Sequence, residues 1–250
     1  MLLEARGVAK RFGGVHAVAD VDLAVGERQV VGLIGPNGAG KTTLVNLISG
    51  HLRADAGTIR FVGEDVTDLA PHALTARGIA RTFQGVRLFK GLSVFDNVLV
   101  GAHSRTRPDL LRRLWPHGTP DRAMRERALA LLARLGLARR ANALAGELAY
   151  GDQRRLEIAR ALASAPRLLI LDEPAAGMNP TETAVLRELM RALASEGVAI
   201  LLIEHDVRLV MGACERVAVL NFGRKIAEGT PAEVQANPAV REAYLGAEVA

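Results

Sequence analysis

The most informative stretch of this chain is Gly35-Pro36-Asn37-Gly38-Ala39-Gly40-Lys41-Thr42. It matches the pattern G-x-x-x-x-G-K-[ST], in which glycines let successive backbone N–H groups turn inward around phosphate oxygens. An apolar strand is expected at residues 30–34 before it, and a helix at about residues 40–49 after it. We expect Lys41 to bring positive charge to the outer phosphates and Thr42 to ligate Mg²⁺. Strand, loop and helix in this order predict a nucleoside triphosphate site.

Other classes of nucleotide-binding protein are less well supported. Kinases, GTPases and ATPases share this loop, but the chain has no N-K-x-D guanine motif. It also has no G-x-G-x-x-G sequence, which disfavours a dinucleotide site.

Composition places the chain among soluble, folded proteins. Its 250 residues are 49% hydrophobic and 24% charged, and no apolar run approaches the ~18 residues of a membrane span. The N-terminus does not have the pattern of a signal peptide. Cys214 is the only cysteine, which excludes an intramolecular disulfide and a cysteine zinc site and fits a reducing cytoplasm.

The arginines are concentrated in the middle of the chain. Residues 101–165 contain 13 Arg and 6 acidic residues, and the net charge of the whole chain is +5. Such a patch is compatible with nucleic acid or an anionic membrane surface. Aromatic residues are not regularly interleaved with these arginines for base stacking, so we interpret the patch as a solvated helical face and expect no nucleic-acid partner.

Short apolar runs alternate with helical patterns along most of the chain. Strands are expected at residues 2–8, 18–25, 58–62, 168–171, 198–203 and 216–220. Helices are expected at about residues 152–164 and 179–194, the second capped by Asn179 and Glu182. Strands separated by helices predict an α/β fold with a largely parallel core sheet.

Residues 84–151 carry no strand signal and are interpreted as a helical insertion. Ser93 and Asp96 have the spacing of a capping box, and residues 121–135 form an amphipathic pattern that ends at Gly136. Residues 103–119 are expected to be irregular because of Pro108, Pro116 and Gly118.

Charged side chains follow two of the later strands. Asp172 and Glu173 end the apolar run 168–171, where Asp172 is placed to hold Mg²⁺ and Glu173 to act as the general base on the attacking water. An ordinary strand with acids at its exposed end would give the same pattern. His205 follows the run 198–203 and could donate to the γ-phosphate, although a single histidine is also compatible with ordinary packing.

These motifs, in this order, resemble the nucleotide-binding subunit of an ATP-binding cassette (ABC) transporter over essentially the whole chain. Phe12 matches the aromatic residue that stacks on adenine, and Gln84 in Arg81-Thr82-Phe83-Gln84 matches the glutamine loop. Residues 148–152 match the signature segment, and His205 matches the switch histidine.

The resemblance implies one ABC domain over residues 1–250 with a phosphate-loop NTPase fold. A core of roughly residues 1–84 and 165–250 would hold the largely parallel sheet and an antiparallel β subdomain. A helical subdomain of roughly residues 85–164 would be inserted between the two parts.

It also implies roles for individual residues, with ATP and Mg²⁺ as ligands. The ATP-binding residues would be Phe12, Gly35, Pro36, Asn37, Gly38, Ala39, Gly40, Lys41, Thr42 and Thr43. The catalytic residues would be Glu173, His205 and Gln84, and the Mg²⁺ ligands Thr42, Gln84 and Asp172. The signature residues Leu148, Ala149, Tyr150, Gly151 and Asp152 would act in trans, and Asn179 would lie in the D-loop.

The family mechanism implies partners. Two cassettes, a pair of copies or one copy with a sister ATPase, would pair head to tail around two ATP molecules. Their closure and opening would drive integral-membrane permease subunits. A periplasmic or extracellular solute-binding protein would deliver the solute to these permeases. The chain would then be peripheral, at the cytoplasmic face of a bacterial inner membrane.

Four positions depart from the general family pattern. Ala149, Tyr150 and Asp152 stand where the signature has serine, glycine and glutamine, and Asn179 stands for the D-loop aspartate. Asp152 puts an acid near a polyphosphate, which should weaken binding in trans unless the side chain faces away.

Further sequence features resemble one subfamily, the first ATPase of the high-affinity branched-chain amino acid importer. They are Arg81-Thr82-Phe83-Gln84 with Val86-Arg87-Leu88-Phe89, Leu148-Ala149-Tyr150-Gly151, the segment 154–160, Ala175-Ala176-Gly177-Met178-Asn179-Pro180 and the ending 243–246. Urea importers and lipopolysaccharide exporters have similar cassettes. The nucleotide motifs are also compatible with a soluble non-transport ABC ATPase and with a regulatory, non-hydrolysing subunit.

Overall fold

A computed structural model describes residues 1–102 and 122–245. The predicted irregular segment 103–119, Asp121 of the predicted helix 121–135, and Gly246 of the ending lie outside these residues. Within them, no helix is long and apolar enough to cross a membrane.

The described residues form ten strands. Their bounds are β1 Leu3–Phe12, β2 Val15–Val25, β3 Val30–Ile34, β4 Ala56–Phe61, β5 Glu64–Asp65, β6 Ile79–Arg81, β7 Leu168–Asp172, β8 Ala199–Ile203, β9 Arg216–Asn221 and β10 Arg224–Gly229.

The described residues also form nine α-helices, and two short 3-10 helices at Ala138–Arg140 and Ala145–Glu147. The bounds of the α-helices are α1 Lys41–Ile48, α2 Pro71–Arg77, α3 Val94–Ala102, α4 Arg122–Arg134, α5 Tyr150–Ala163, α6 Pro180–Ser195, α7 Val207–Ala213, α8 Pro231–Ala236 and α9 Pro238–Leu245.

The strands form two sheets. A six-stranded sheet has the order β10-β9-β3-β8-β7-β6, in which all neighbours are parallel except β9 and β10. A four-stranded antiparallel sheet has the order β2-β1-β4-β5. The predicted α/β class with a largely parallel core sheet and an antiparallel β sheet is therefore confirmed.

The continuous apolar runs of the core strands are explained by burial on both faces of the larger sheet. In β3, Val30 and Ile34 pack into one hydrophobic cluster, while Val31 and Leu33 pack into the other. Successive strand side chains point to opposite faces, so a strand covered on both sides has no polar alternation. One cluster contains α5 and α6, and the other contains α1 and the antiparallel sheet.

Local sequence signals predicted the start of α6 fully and the start of α3 in part. The Asn179 side chain accepts from the Glu182 N–H at 2.9 Å, and Glu182 accepts from the Asn179 N–H at 3.0 Å, so α6 begins with the predicted capping box. The Ser93 Oγ accepts from the Asp96 N–H at 3.0 Å. The Asp96 carboxylate, however, accepts from the Ser93 hydroxyl rather than from its backbone, so only half of that predicted box forms.

Three strands, three helices and one helix start differ from the predictions. The patterns did not reveal β5, β6 or β10, nor the helices α7, α8 and α9, and α5 begins at Tyr150 rather than at residue 152. The earlier start of α5 places part of the signature segment in the first turn of a helix.

Candidate functional site

The parallel strands bring the predicted site residues to one edge of the large sheet. The phosphate loop (residues 35–43) follows β3, Asp172 is the last residue of β7, and His205 lies two residues after β8. Since β8 lies between β3 and β7 in the sheet, the carboxyl ends of these strands are adjacent. Ligands of open α/β sheets bind at this edge.

Glycines of the phosphate loop are required where the loop packs against neighbouring backbone. Gly40 has φ of 100°, and a Cβ there would collide with the carbonyl oxygen of Ala17 in β2. A Cβ at Gly35 would collide with the carbonyl oxygen of Leu220 in β9. At Gly38, by contrast, nothing lies within 4 Å of the Cβ position, so this side of the loop is open to a ligand.

Lys41 is folded back over the loop. Its Nζ donates to the carbonyl oxygens of Gly35 at 2.7 Å and Pro36 at 3.0 Å. Burial lowers the pKa of Lys41, and the nearby carboxylates of Glu173 and Asp172 oppose that shift. A buried ammonium group beside an open glycine loop is suited to an anionic ligand.

Asp172 is buried in an ion pair that the sequence did not reveal. Its Oδ2 lies 2.8 Å from Arg81 Nη2, and both side chains are almost completely buried. Arg81 also donates to Asn46 Oδ1 at 2.7 Å and Ser49 Oγ at 2.8 Å. The Asp172 N–H donates to Thr82 Oγ1 at 3.2 Å. Strand β6 and its Arg81 therefore orient the carboxylate.

Arg81→Met is expected to lower the free energy of unfolding by about 3 kcal/mol, because it leaves a buried carboxylate without its cation. Urea denaturation measures this loss. Arg6→Met is the matched control, since the Arg6 side chain is 71% exposed in its pair with Glu4 and such pairs contribute about 1 kcal/mol or less. Equal losses in the two variants would contradict the importance of the buried pair.

Glu173, Gln84 and His205 converge on one another. Gln84 Nε2 donates to Glu173 Oε2 at 3.0 Å, and His205 Nδ1 lies 4.0 Å from Glu173 Oε1. Glu173 has φ of 49°, a strained conformation for a residue with a side chain, and its N–H donates to Ile203 O at 2.9 Å. The three residues predicted to be catalytic thus lie together after β6, β7 and β8.

Glu204 is a further residue of this edge to which the sequence assigned no role. It is almost fully buried, and burial raises its pKa. Its carboxylate accepts from the N–H groups of Ala175 at 2.9 Å and His205 at 3.2 Å. Glu204 therefore ties the backbone before His205 to the segment that follows Glu173.

The residues present fit a magnesium ion only with a phosphate ligand. Thr42 is exposed in the first turn of α1, and Asp172 lies at the end of β7 on the same edge. No group of three or more His, Cys, Asp or Glu side chains in residues 1–102 and 122–245 could hold a metal. Mg²⁺ typically uses one or two protein groups together with substrate phosphates, and Thr42 and Asp172 would supply the protein part of such a donor set.

Phe12 lies on the hairpin beside the phosphate loop. Its ring is 49% exposed, and it pairs with Val15 across the β1–β2 turn. The same β2 strand contacts Gly40 through the Ala17 carbonyl. An exposed ring in this position is compatible with the predicted stacking on a base.

An open pocket of about 860 Å³ also lies against the loop. It is lined by residues 35–39, by His205 and, from the C-terminal helix α9, by Tyr244. Tyr244, in the segment 243–246, therefore reaches the same edge of the sheet as the phosphate loop.

The signature segment contacts the chain after Glu173 rather than the phosphate loop. A Cβ at Gly177 would lie 2.9 Å from ring carbons of Tyr150, and a Cβ at Gly151 would lie 2.9 Å from Glu182 Oε1. The first N–H groups of an α-helix have no intrahelical partner, and at the start of α5 no side chain caps them. Asp152 forms an ion pair with Arg155 on its own helix, which offsets the acidic charge at this position.

Hydrophobic residues near Gln84 divide into two groups. Leu88 and Phe95 pack against the core cluster that contains α5 and α6. The Phe89 ring is 50% exposed, and Phe83 lies under the guanidinium groups of Arg81 and Arg87, 5.0 and 4.4 Å from the ring centre.

Comparisons with known proteins agree with this architecture. Residues 18–176 match a family model described as "ABC transporter". Residues 224–250 match one described as "Branched-chain amino acid ATP-binding cassette transporter".

Two curated relatives match along nearly the whole chain. The chain is 47% identical to "High-affinity branched-chain amino acid transport ATP-binding protein BraF" of Pseudomonas aeruginosa, with 98% of each chain covered. It is 36% identical to "Lipopolysaccharide export system ATP-binding protein LptB" of Haemophilus influenzae, with 98% of this chain and 97% of the relative covered.

A solved structure has the same fold. The crystal structure of the ADP conformation of an ATP-binding cassette of an ABC transporter superposes with a TM-score of 0.87 and 34% identity, covering 98% of each chain.

Proposed function

The chain belongs to the ABC transporter family, whose cassettes bind and hydrolyse ATP, and we propose that this one drives the import of branched-chain amino acids. The observation that carries the proposal is the 47% identity to BraF over 98% of both chains. The match of residues 224–250 to a model of branched-chain amino acid cassettes supports it independently of the nucleotide-binding motifs.

In this proposal the phosphate loop and Lys41 bind the phosphates of ATP. The Lys41 ammonium group, now donating to Gly35 O and Pro36 O, exchanges these carbonyls for phosphate oxygens. It thereby neutralises charge that grows on the phosphates during transfer. Phe12 stacks on the adenine from the neighbouring hairpin.

Glu173 takes the proton of the attacking water. Its carboxylate lies at the same edge of the sheet as Lys41, and therefore beside the phosphates that Lys41 binds. The Gln84 amide, 3.0 Å from Glu173 Oε2, orients that water, and His205 donates to the γ-phosphate. The strained Glu173 backbone and the buried Glu204 beneath His205 hold these side chains in place.

Thr42, Asp172 and Gln84 are the residues that would hold Mg²⁺. The ion, when bound, neutralises charge on the phosphate oxygens. Arg81 already holds the Asp172 carboxylate, and Thr82 Oγ1 accepts from the Asp172 backbone N–H, so the carboxylate is positioned before any ion arrives.

We propose that the signature segment acts on the ATP of a second cassette. Its contacts with Gly177 and Glu182, on either side of Asn179, support this proposal, because they are not contacts with its own phosphate loop. The uncapped N-terminus of α5 then offers N–H groups and a positive dipole end to a phosphate in trans. Ala149 provides no hydroxyl there, and the Asp152–Arg155 pair limits repulsion.

The transporter family implies membrane permease partners, and we propose that the chain binds them as a peripheral subunit at the cytoplasmic face. The half-exposed Phe89 ring, close in sequence to Gln84, is available for such a contact. A solute-binding protein outside the membrane would deliver the solute to the permeases without touching this chain.

Purification of the tagged protein in detergent from its native membranes tests the proposal. Two different permeases, a second cassette and a branched-chain amino acid-binding protein are the expected companions. A urea-binding protein among the companions would indicate urea as the transported solute. Export-type partners would indicate a lipid substrate, in line with the 36% identity to LptB of a lipopolysaccharide export system. Recovery only in the soluble fraction with ribosomes or nucleic acid would overturn the transport role.

A further inference from the structure

A buried ion pair on α5 lies against the backbone around Gln84. Arg154 and Glu157 have side chains only 2% exposed, and their closest atoms are 3.4 Å apart. Burying two charges is unfavourable unless each is paired and fully hydrogen-bonded. The pair therefore requires further hydrogen-bond partners inside the protein.

Those partners are backbone groups on both sides of Gln84. Arg154 Nη1 donates to the Phe83 carbonyl at 2.7 Å, and Nη2 donates to the Gln84 carbonyl. The Glu157 carboxylate accepts from the Phe83 N–H at 3.4 Å and from the Arg87 N–H at 3.3 Å. One ion pair thus holds four backbone groups of the segment 83–87.

The same helix carries the signature segment at its start. Arg154 lies only one helical turn after Tyr150, and its guanidinium group lies 5.4 Å from the centre of the Tyr150 ring. A helix moves as a rigid body over so short a distance. Displacement of the Gln84 backbone must therefore move the start of α5 or break contacts with two buried charges.

We propose that Arg154 and Glu157 are positioning residues that connect Gln84 in one nucleotide site to the signature segment serving the other. This inference rests on the proposed roles of Gln84 and of the signature segment. Occupancy of a cassette's own site would shift residues 83–87, and the ion pair would carry that shift to residues 150–152.

Hydrogen exchange of the purified full chain tests the connection. Exchange of segments 83–87 and 148–154 is measured without nucleotide, with ADP, and with a non-hydrolysable ATP analogue and Mg²⁺. The protein concentration is one at which light scattering shows single cassettes, so that contact of the signature segment with the ATP of a second cassette does not contribute. In the wild type we expect nucleotide to change the exchange of both segments.

The main variant is Arg154→Met/Glu157→Leu, because replacing both charges by apolar residues of similar size leaves no unpaired buried charge. We expect nucleotide to change exchange in segment 83–87 but no longer in segment 148–154. We also expect kcat to fall about tenfold or more, since small misplacement of a catalytic group is costly. The KM for ATP should change less than about twofold, because the phosphate loop is untouched.

Arg154→Lys provides a second test that conserves the charge beside Glu157. An ammonium group cannot donate to the Phe83 and Gln84 carbonyls with the fork geometry of a guanidinium, so partial uncoupling is expected. This variant decides the matter if the double variant does not fold. Arg191→Met, which removes an exposed cation on α6, is the control and should behave as wild type.

The outcomes separate this inference from the proposed function. If the wild type hydrolyses ATP but the folded variants keep the coupled exchange response and kcat, the positioning role is wrong. If the wild type neither binds nor hydrolyses ATP, the proposed function itself fails.

Discussion

Lys41→Ala is expected to reduce ATP hydrolysis about 1000-fold and to weaken ATP binding. The substitution removes the buried ammonium group that lies over the phosphate loop, next to Glu173 and Asp172. Electrostatic groups of this kind, aimed at developing charge in a water-poor site, typically contribute roughly 100- to 1000-fold each, and Lys41 also contributes to binding. Phosphate release and binding of a fluorescent ATP analogue measure the two effects.

Lys225→Ala is the matched control for this experiment. Lys225 is a lysine of β10 whose Nζ pairs with Glu228 at 2.6 Å, away from the phosphate loop, so turnover should not change. The Lys41→Ala chain should stay folded, because the lost contacts are two hydrogen bonds to carbonyls of its own loop. Wild-type turnover in Lys41→Ala would show that the loop does not bind the reacting phosphates.

Glu173→Gln is expected to slow hydrolysis about 1000-fold while ATP remains bound. Glutamine has the size of glutamate and still offers an oxygen to Gln84 Nε2, which donates to Glu173 Oε2 at 3.0 Å. It cannot take the proton of the attacking water. An ATP-bound pair of cassettes should therefore accumulate, measured by light scattering after size exclusion with and without ATP.

Glu188→Gln is the control, because Glu188 is an exposed acid of α6 that pairs with Arg191. Normal hydrolysis in Glu173→Gln would mean that another group acts as the base. Failure of the wild type to hydrolyse ATP, with binding intact, would instead favour a regulatory subunit.

Much of the fold was predictable because its signals are local. The buried strands β3, β7 and β8 are continuous apolar runs, and α6 begins at Asn179-Pro180 with Glu182 three residues after the cap. The phosphate loop required only its own eight residues. In each case the residues that specify the structure are close in sequence, so the pattern is visible without knowledge of the tertiary neighbours.

Strand β6 has no such local signal. Ile79–Arg81 is only three residues long and follows the αL residue Gly78, which is too short for a hydrophobic period. Its strand character comes from pairing with β7, a partner almost ninety residues later in the chain. The same separation hid the Arg81–Asp172 ion pair.

The nucleotide motifs and most core elements were determined by the sequence alone, since hydrophobic period, glycine placement and caps act over a few residues. Only the tertiary structure decided how those motifs are held. The buried contacts of Arg81 with Asp172, of Glu204 with the His205 backbone, and of Arg154 and Glu157 with the chain around Gln84 join residues from different elements. Charges can be buried at such positions only after folding has brought their partners within hydrogen-bond distance.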